Sequence, residues 1–260
     1  MKRIMLFGAV ILAVQLVAAP LSGASAADLP VKAPMMAPVA PGPLWSGFFI
    51  GGNIGDAESH STFCTDATVL FNCSSGAPLD VVTQRFSGLV GGGQTGYRFQ
   101  FGNFVFGPEA MLDGMVNHTQ TTDTAILPGF PGRTRTTTMK GLSSVTGDAG
   151  VAFDRFYLYG KGGWAITSLD YDANNTLPGG FDVKGSEYAT GWTGGAGVEY
   201  MLPSGWSVGV EYNYYQFDPK NILNVVNTGG VTIPCTFCNF GRDTYVQTIT
   251  ARINVRVGPP

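Results

Sequence analysis

Charge is what this sequence has least of. Only 13% of its 260 residues are Asp, Glu, Lys or Arg, about half the share of an ordinary soluble domain. So few charges leave a water-facing surface hard to cover, whereas a wall that meets hydrocarbon needs none. The balance is slightly acidic, with a net charge of −3 and a pI near 5.3, which argues against the basic stripe of a nucleic-acid binder. Beyond residue 26 no apolar run reaches the length of a membrane-spanning helix, and no stretch shows a convincing helical period. Histidine is reduced to His60 and His118. No nucleophile stands with a base beside it, so the chain reads as non-enzymatic, with no cofactor and no catalytic or metal residues.

What is present begins with a processing signal. Lys2 and Arg3 precede an apolar stretch, Ile4 to Ala19, interrupted only by Gln15; Pro20 ends it and Ala24-Ser25-Ala26 supplies small residues for cleavage. Residues 1–26 therefore read as a secretory signal peptide. Without Lys2 and Arg3, 13 basic residues face 18 acidic ones, a net charge of −5. Residues 27–43 carry five prolines and read as an extended, semi-rigid tether. Residues 44–257 form the folded domain, and 258–260 a short tail.

From Leu44 onward polar and apolar residues alternate. The alternation predicts strands at 44–55, 84–100, 104–116, 137–153, 156–172, 186–201, 206–218 and 243–257. The connectors alternate too: long polar segments at 56–83, 117–136, 173–185 and 219–242, tight turns at 101–103, 154–155 and 203–205. An up-and-down sheet with long loops at one end and tight turns at the other has the asymmetry of an outer-membrane barrel. An even count lets the first and last strands pair antiparallel and close the sheet, as hydrocarbon requires. The fold class expected is an all-β, eight-stranded antiparallel up-and-down transmembrane β-barrel.

The segment FDRFYLYGKGGWAI (153–166) separates the two faces. Phe156, Leu158, Gly160, Gly162, Trp164 and Ile166 fall on one, Tyr157, Tyr159, Lys161 and Gly163 on the other. With the first set toward lipid, outward aromatics recur eight residues apart: Phe156 and Trp164, Trp192 and Tyr200, Trp206 and Tyr214. Eight tilted residues rise about 20 Å, the spacing of two aromatic girdles across an apolar band. The inner face then collects Arg98, Glu109, Asp113, Asp148, Lys161, Glu199, Glu211, Arg252 and Arg256. An eight-stranded barrel is just wide enough to be filled by side chains, so these charges are expected to pair, with Asp148 and Glu199 the partners expected for Lys161. Inner glycines, among them Gly163, Gly191, Gly195 and Gly197, leave room for the long side chains. A sealed structural network and a narrow pore for ions or small solutes are both consistent with this content.

The cysteines all fall in predicted loops, Cys64 and Cys73 in the first and Cys235 and Cys238 in the fourth. An exported chain with an even count suggests disulfides. Four cysteines allow three connectivities; pairing within each loop is favoured, and cross-loop pairing is a second arrangement. The two histidines read as solvated loop residues, with weak binding of a metal or haem-like ligand as the sharper alternative. Threonine-rich tips, NHTQTTDTA and RTRTTT, suit exposed loops and equally an adhesive or recognition role.

The segments LWSGFFIGGNIG (44–55), GGGQTGYRFQFGNFVFGPEAML (91–112), GVAFDRFYLYGKGGWA (150–165) and GWTGGAGVEYMLPSGWSVGVEYNYYQF (191–217) resemble the small eight-stranded outer-membrane β-barrel proteins of Gram-negative bacteria, the "porin family" related in build to the OmpA membrane domain. The ADLP after the signal, with its Pro-rich tether, is similar as well. The resemblance implies an abundant, surface-exposed, often immunogenic envelope protein of the outer membrane with weak or disputed pore activity; the inward charges themselves favour a structural role. It implies outer-membrane lipid and lipopolysaccharide as surroundings, the barrel-assembly machinery as partner during insertion, and extracellular ligands at the loops. Two features depart from the family pattern. Asp148 stands where the family commonly has arginine, and the chain ends ARINVRVGPP, where such barrels usually end on an aromatic.

Overall fold

The computed structural model describes residues 44–257 apart from 65–80, 117–118, 125–132, 176–181, 219–225, 229–230 and 234–242. The signal peptide, the Pro-rich tether, the tail, His118, Cys73, Cys235 and Cys238 thus lie outside the described residues.

Eight long strands form the wall: β1 (Gly47–Cys64), β2 (Val81–Phe101), β3 (Phe104–Val116), β5 (Arg133–Phe153), β6 (Phe156–Asn175), β7 (Asp182–Met201), β8 (Trp206–Phe217) and β11 (Asp243–Val257). Each pairs antiparallel with its neighbour, and β11 pairs with β1, so the sheet closes. Three short strands extend it: β4 (Thr119–Thr124) pairs with β5, while β9 (Val226–Thr228) pairs with β7 and with β10 (Val231–Ile233). Among the described residues no helix occurs.

One row of paired residues gives the geometry. It runs from Ile50 through Thr95, Ala110, Val145, Trp164, Trp192, Gln216 and Tyr245, and returns to β1 at His60, ten residues from its start. Such a stagger tilts the strands by roughly 40°. A level plane through the lumen therefore does not join residues that are paired in the wall.

The tight turns follow from backbone chemistry. Phe101 pairs with Phe104 and Phe153 with Phe156, leaving two-residue turns. Their first positions, Gly102 (φ 59°) and Asp154 (φ 53°), adopt the left-handed conformation that Gly takes freely and Asp tolerates.

The strands outrun the predicted ones at the loop end. β1 continues to Cys64, β2 starts at Val81, β5 starts at Arg133, and β6 and β7 reach Asn175 and Asp182. Polar residues occupy both faces there, so the polar–apolar alternation fades although the ladder persists. Leu44 to Ser46, predicted as strand, instead turn under the barrel ahead of Gly47, whose φ is 123°.

Candidate functional site

The lumen is filled, and its contents are layered. At the turn end Trp45, only 2% exposed, inserts into the mouth. Its ring lies 5.2 Å from that of Tyr157, and its amide donates to Gln100 Oε1 at 2.9 Å. Arg256 donates to the Leu44 carbonyl at 2.8 Å, holding the segment in place. The Arg98 guanidinium lies 4.4 Å from the ring centre of Phe49 and 4.9 Å from that of Tyr157, so this layer is an aromatic stopper backed by a cation.

Above it sits the ionic layer. Arg98 grips Glu199 with two hydrogen bonds, 3.0 and 2.8 Å, and its Nε lies 3.3 Å from Asp148. Lys161 bridges Glu109 and Glu211 at 2.7 Å each. Arg252 contacts Glu109 at 2.5 Å, Glu199 at 3.3 Å and Glu211. Hydroxyls and amides take up further carboxylate lone pairs: Tyr157 donates to Asp148 (2.7 Å), Tyr159 to Glu211 (2.6 Å), Ser207 to Glu199 (2.9 Å) and Asn254 to Glu199 (3.1 Å). These ionic groups come from seven of the eight wall strands, so the network ties the wall together across its interior. Its low-dielectric setting makes each pair strong and each deletion costly.

Above the ionic layer lies a polar layer containing Asn53, Asp113 and Asn213, then an apolar one. Phe86, Met139, Leu142, Leu169, Tyr215, Phe217 and Val246 pack there with almost no exposure. The lumen is thus stoppered at the turn end, cross-linked in the middle and packed toward the loops by an apolar cluster with buried Ser59, Ser61, Thr167 and Thr244 among it.

Of the charges assigned to the interior from the sequence, Arg98, Glu109, Asp113, Asp148, Lys161, Glu199, Glu211 and Arg252 are buried there. Arg256 is half-buried at the mouth, outside the ionic layer. The partners expected for Lys161 are replaced. Asp148 is its paired residue in the wall, yet its carboxylate is taken by Arg98 and Tyr157, and Glu199 by Arg98. With the strands tilted, Lys161 comes level with Glu109 and Glu211 instead. Of the inner glycines named from the sequence, Gly195 and Gly197 make room for side chains, whereas a Cβ on Gly163 or Gly191 would first meet the backbone of Val145 or Gln216. A Cβ on Gly197 would meet the Tyr159 hydroxyl at 2.5 Å, one on Gly195 the Asn213 side chain at 2.2 Å, and one on Gly209 the Glu199 side chain at 2.7 Å. Trp45 went unrecognised as a stopper; Gly47 beside it is the signal that the chain turns there.

Outside, Phe156, Trp164, Trp192 and Trp206 are exposed and Tyr200 and Tyr214 half-exposed, in two bands. Phe156 stacks obliquely on Tyr200 at 4.8 Å and Trp192 on Tyr214 at 5.6 Å. The turn-end band also includes Phe48, Tyr97, Phe99, Phe101, Phe104, Phe106 and Phe153. His60, predicted in a loop, lies on β1, stacked on Tyr245 at 4.5 Å and 3.8 Å from Glu58. Among the described residues no group of three or more His, Cys, Asp or Glu gathers to hold a metal ion.

Comparison with known proteins agrees with this architecture. A family model described as outer membrane protein beta-barrel domain matches residues 16–235. The 31 kDa outer-membrane immunogenic protein of Brucella melitensis biotype 1 is 30% identical over 217 residues, covering 80% of this chain and 86% of that protein. A 22 kDa outer membrane protein of Rhizobium leguminosarum bv. viciae is 28% identical over 189 residues, 71% of this chain and 70% of that one. The crystal structure of the outer membrane protease OmpT from Escherichia coli superposes with a TM-score of 0.54 at 8% identity, over 81% of this chain and 97% of that one; the likeness is one of fold alone.

Proposed function

We propose that this chain, which belongs to the outer membrane protein beta-barrel domain family, is a sealed structural barrel of the outer membrane of a Gram-negative bacterium, exported by a cleaved signal peptide over residues 1–26. The observation that supports this reading is the filled lumen: the Trp45 stopper, the ionic layer joining seven strands and the apolar cluster above it occupy the interior with buried side chains. A dry apolar constriction alone blocks ions. The role is mechanical and protective. A cross-linked barrel resists unfolding within the envelope, while β4, β5, β6 and β7 carry polar strand extensions beyond the loop-end girdle. Their threonine pairs, Thr119 with Thr138 and Thr121 with Thr136 at 3.1 Å each, make a paired surface arm suited to contact with the exterior and to recognition as an antigen. Its surroundings are outer-membrane lipid and lipopolysaccharide, and the assembly machinery is its partner at insertion. Disulfides within the first and fourth loops, Cys64 with Cys73 and Cys235 with Cys238, belong to the same proposal. The barrel is non-catalytic, because Glu109, Glu199 and Glu211 are committed to cations across the barrel.

The test is electrical. Purified barrel in planar lipid bilayers is expected to show no conductance steps, and Trp45→Ala to stay silent because two further layers remain. Steady steps from the wild type that shift when Lys161 or Arg252 is neutralised would replace the sealed reading with a pore.

A further inference from the structure

The segment ahead of β1 is gripped by both wall neighbours of that strand, β2 and β11. From β2, Gln100 accepts the Trp45 amide on its Oε1 at 2.9 Å and donates its own amide to Ser46 Oγ at 3.0 Å. From β11, Arg256 Nη1 donates to the Leu44 carbonyl at 2.8 Å, and its backbone amide to the Gly205 carbonyl in the β7–β8 turn at 3.1 Å. The β1–β11 ladder ends here at the pair Phe48 and Val257, so the Arg256–Leu44 bond carries the closure beyond the ladder.

The Trp45 ring completes the grip from inside. It belongs to a buried cluster with Val105 of β3, Tyr157 and Tyr159 of β6 and Met201 of β7, against which Leu44 also packs. The Arg98 guanidinium of β2 lies 5.7 Å from its ring centre. The buried indole N–H has no acceptor, so packing holds the ring while the main chain of the segment supplies the bonds. Before β11 meets β1 this mouth does not exist, and Arg256, 212 residues from Leu44 along the chain, is not placed to reach it. The bend under the wall is made at Gly47, whose φ of 123° only glycine adopts without strain.

We propose that Leu44, Trp45 and Ser46 are a strap that docks once the barrel has closed and locks the β1–β11 seam at the turn end. β1 and β11 are the first and last wall strands, the one pair of wall neighbours that no connector joins. The strap supplies at this seam the tie that a turn or loop supplies at the others. A contact made only after the rate-limiting closure leaves the folding rate alone and slows unfolding, so the strap gives the closed wall kinetic persistence. It acts on the seam and not on permeation, and stands whether or not the lumen conducts.

The full chain is refolded from urea into phosphatidylcholine vesicles and unfolded from them, with closure read as the band that survives unheated in dodecyl sulfate gels. Trp45→Ala and Arg256→Met are each expected to unfold about tenfold faster or more, while refolding within about twofold of the wild-type rate. Slower refolding with an unchanged unfolding rate overturns the strap, since the segment then docks before closure. Unfolding rates equal to the wild type's overturn it as well. Should either variant fail to fold, the order of events is read on the triple variant Trp164→Phe, Trp192→Phe and Trp206→Phe, which keeps Trp45 alone of the four tryptophans. Its fluorescence is expected to become protected from acrylamide no earlier than the closed band appears. Protection that runs ahead of the band overturns the proposal.

Discussion

Lys161 shows how much one buried cation can hold. It bridges Glu109 and Glu211 with both carboxylates almost fully buried. Replacing it by Met leaves two carboxylates short of a donor where no water replaces it, and is expected to cost about 3–5 kcal/mol, read as a lowered urea midpoint after refolding into vesicles. A loss below about 1 kcal/mol would mean that water reaches the layer. The outer face has its own test. Val210 is exposed midway between Trp206 and Tyr214 on β8, so it lies near the middle of the lipid-facing band. Val210→Lys is expected to cost about 2–4 kcal/mol, and Leu158→Lys, close to the turn-end girdle, about 1 kcal/mol or less. If Val210→Lys is well tolerated in lipid while apolar residues at 161 and 252 stabilise the fold, the two faces are reversed.

At the scale of a strand, β6 and β7 show why glycine is placed differently on the two faces. On the inner face Gly197 yields its space to Tyr159. On the outer face a Cβ at Gly160 or Gly162 would come no closer than 3.8 and 3.7 Å to any atom. Gly197→Val should therefore displace Tyr159 from Glu211, with an overpacking cost of about 1–3 kcal/mol or more, and Gly160→Ala should be neutral within about 0.5 kcal/mol. Equal effects at the two positions, in the same urea titration, would contradict the facing of β6 and β7.

The whole molecule is a closed sheet with a cross-linked interior. Every wall strand has two neighbours, so no edge is free to fray, and unfolding must break the β1–β11 seam and the ionic layer together. The folded barrel is expected to survive unheated in dodecyl sulfate gels and to migrate apart from the boiled chain. A band whose position ignores boiling would be inconsistent with closure.

Period-two alternation is a local property, and from it the sequence by itself determined the two faces and the eight wall strands; of the charges it placed inward, all but Arg256 are buried. Connector lengths, equally local, determined which end carries the loops. The partners of Lys161 were not legible, because they depend on the ten-residue stagger between Ile50 and His60, a sum of pairings around the entire wall that no single strand encodes. The loop-end strand extensions were hidden for another reason: with water outside and polar groups inside, alternation disappears although pairing continues. Trp45 reads in sequence as one more strand aromatic, and only the turn at Gly47 carries it under the barrel. Whether an inward charge is paired, shared or, like Asp113, held by the Asn53 amide is decided by tertiary structure, since side chains from opposite strands meet only once the sheet has closed.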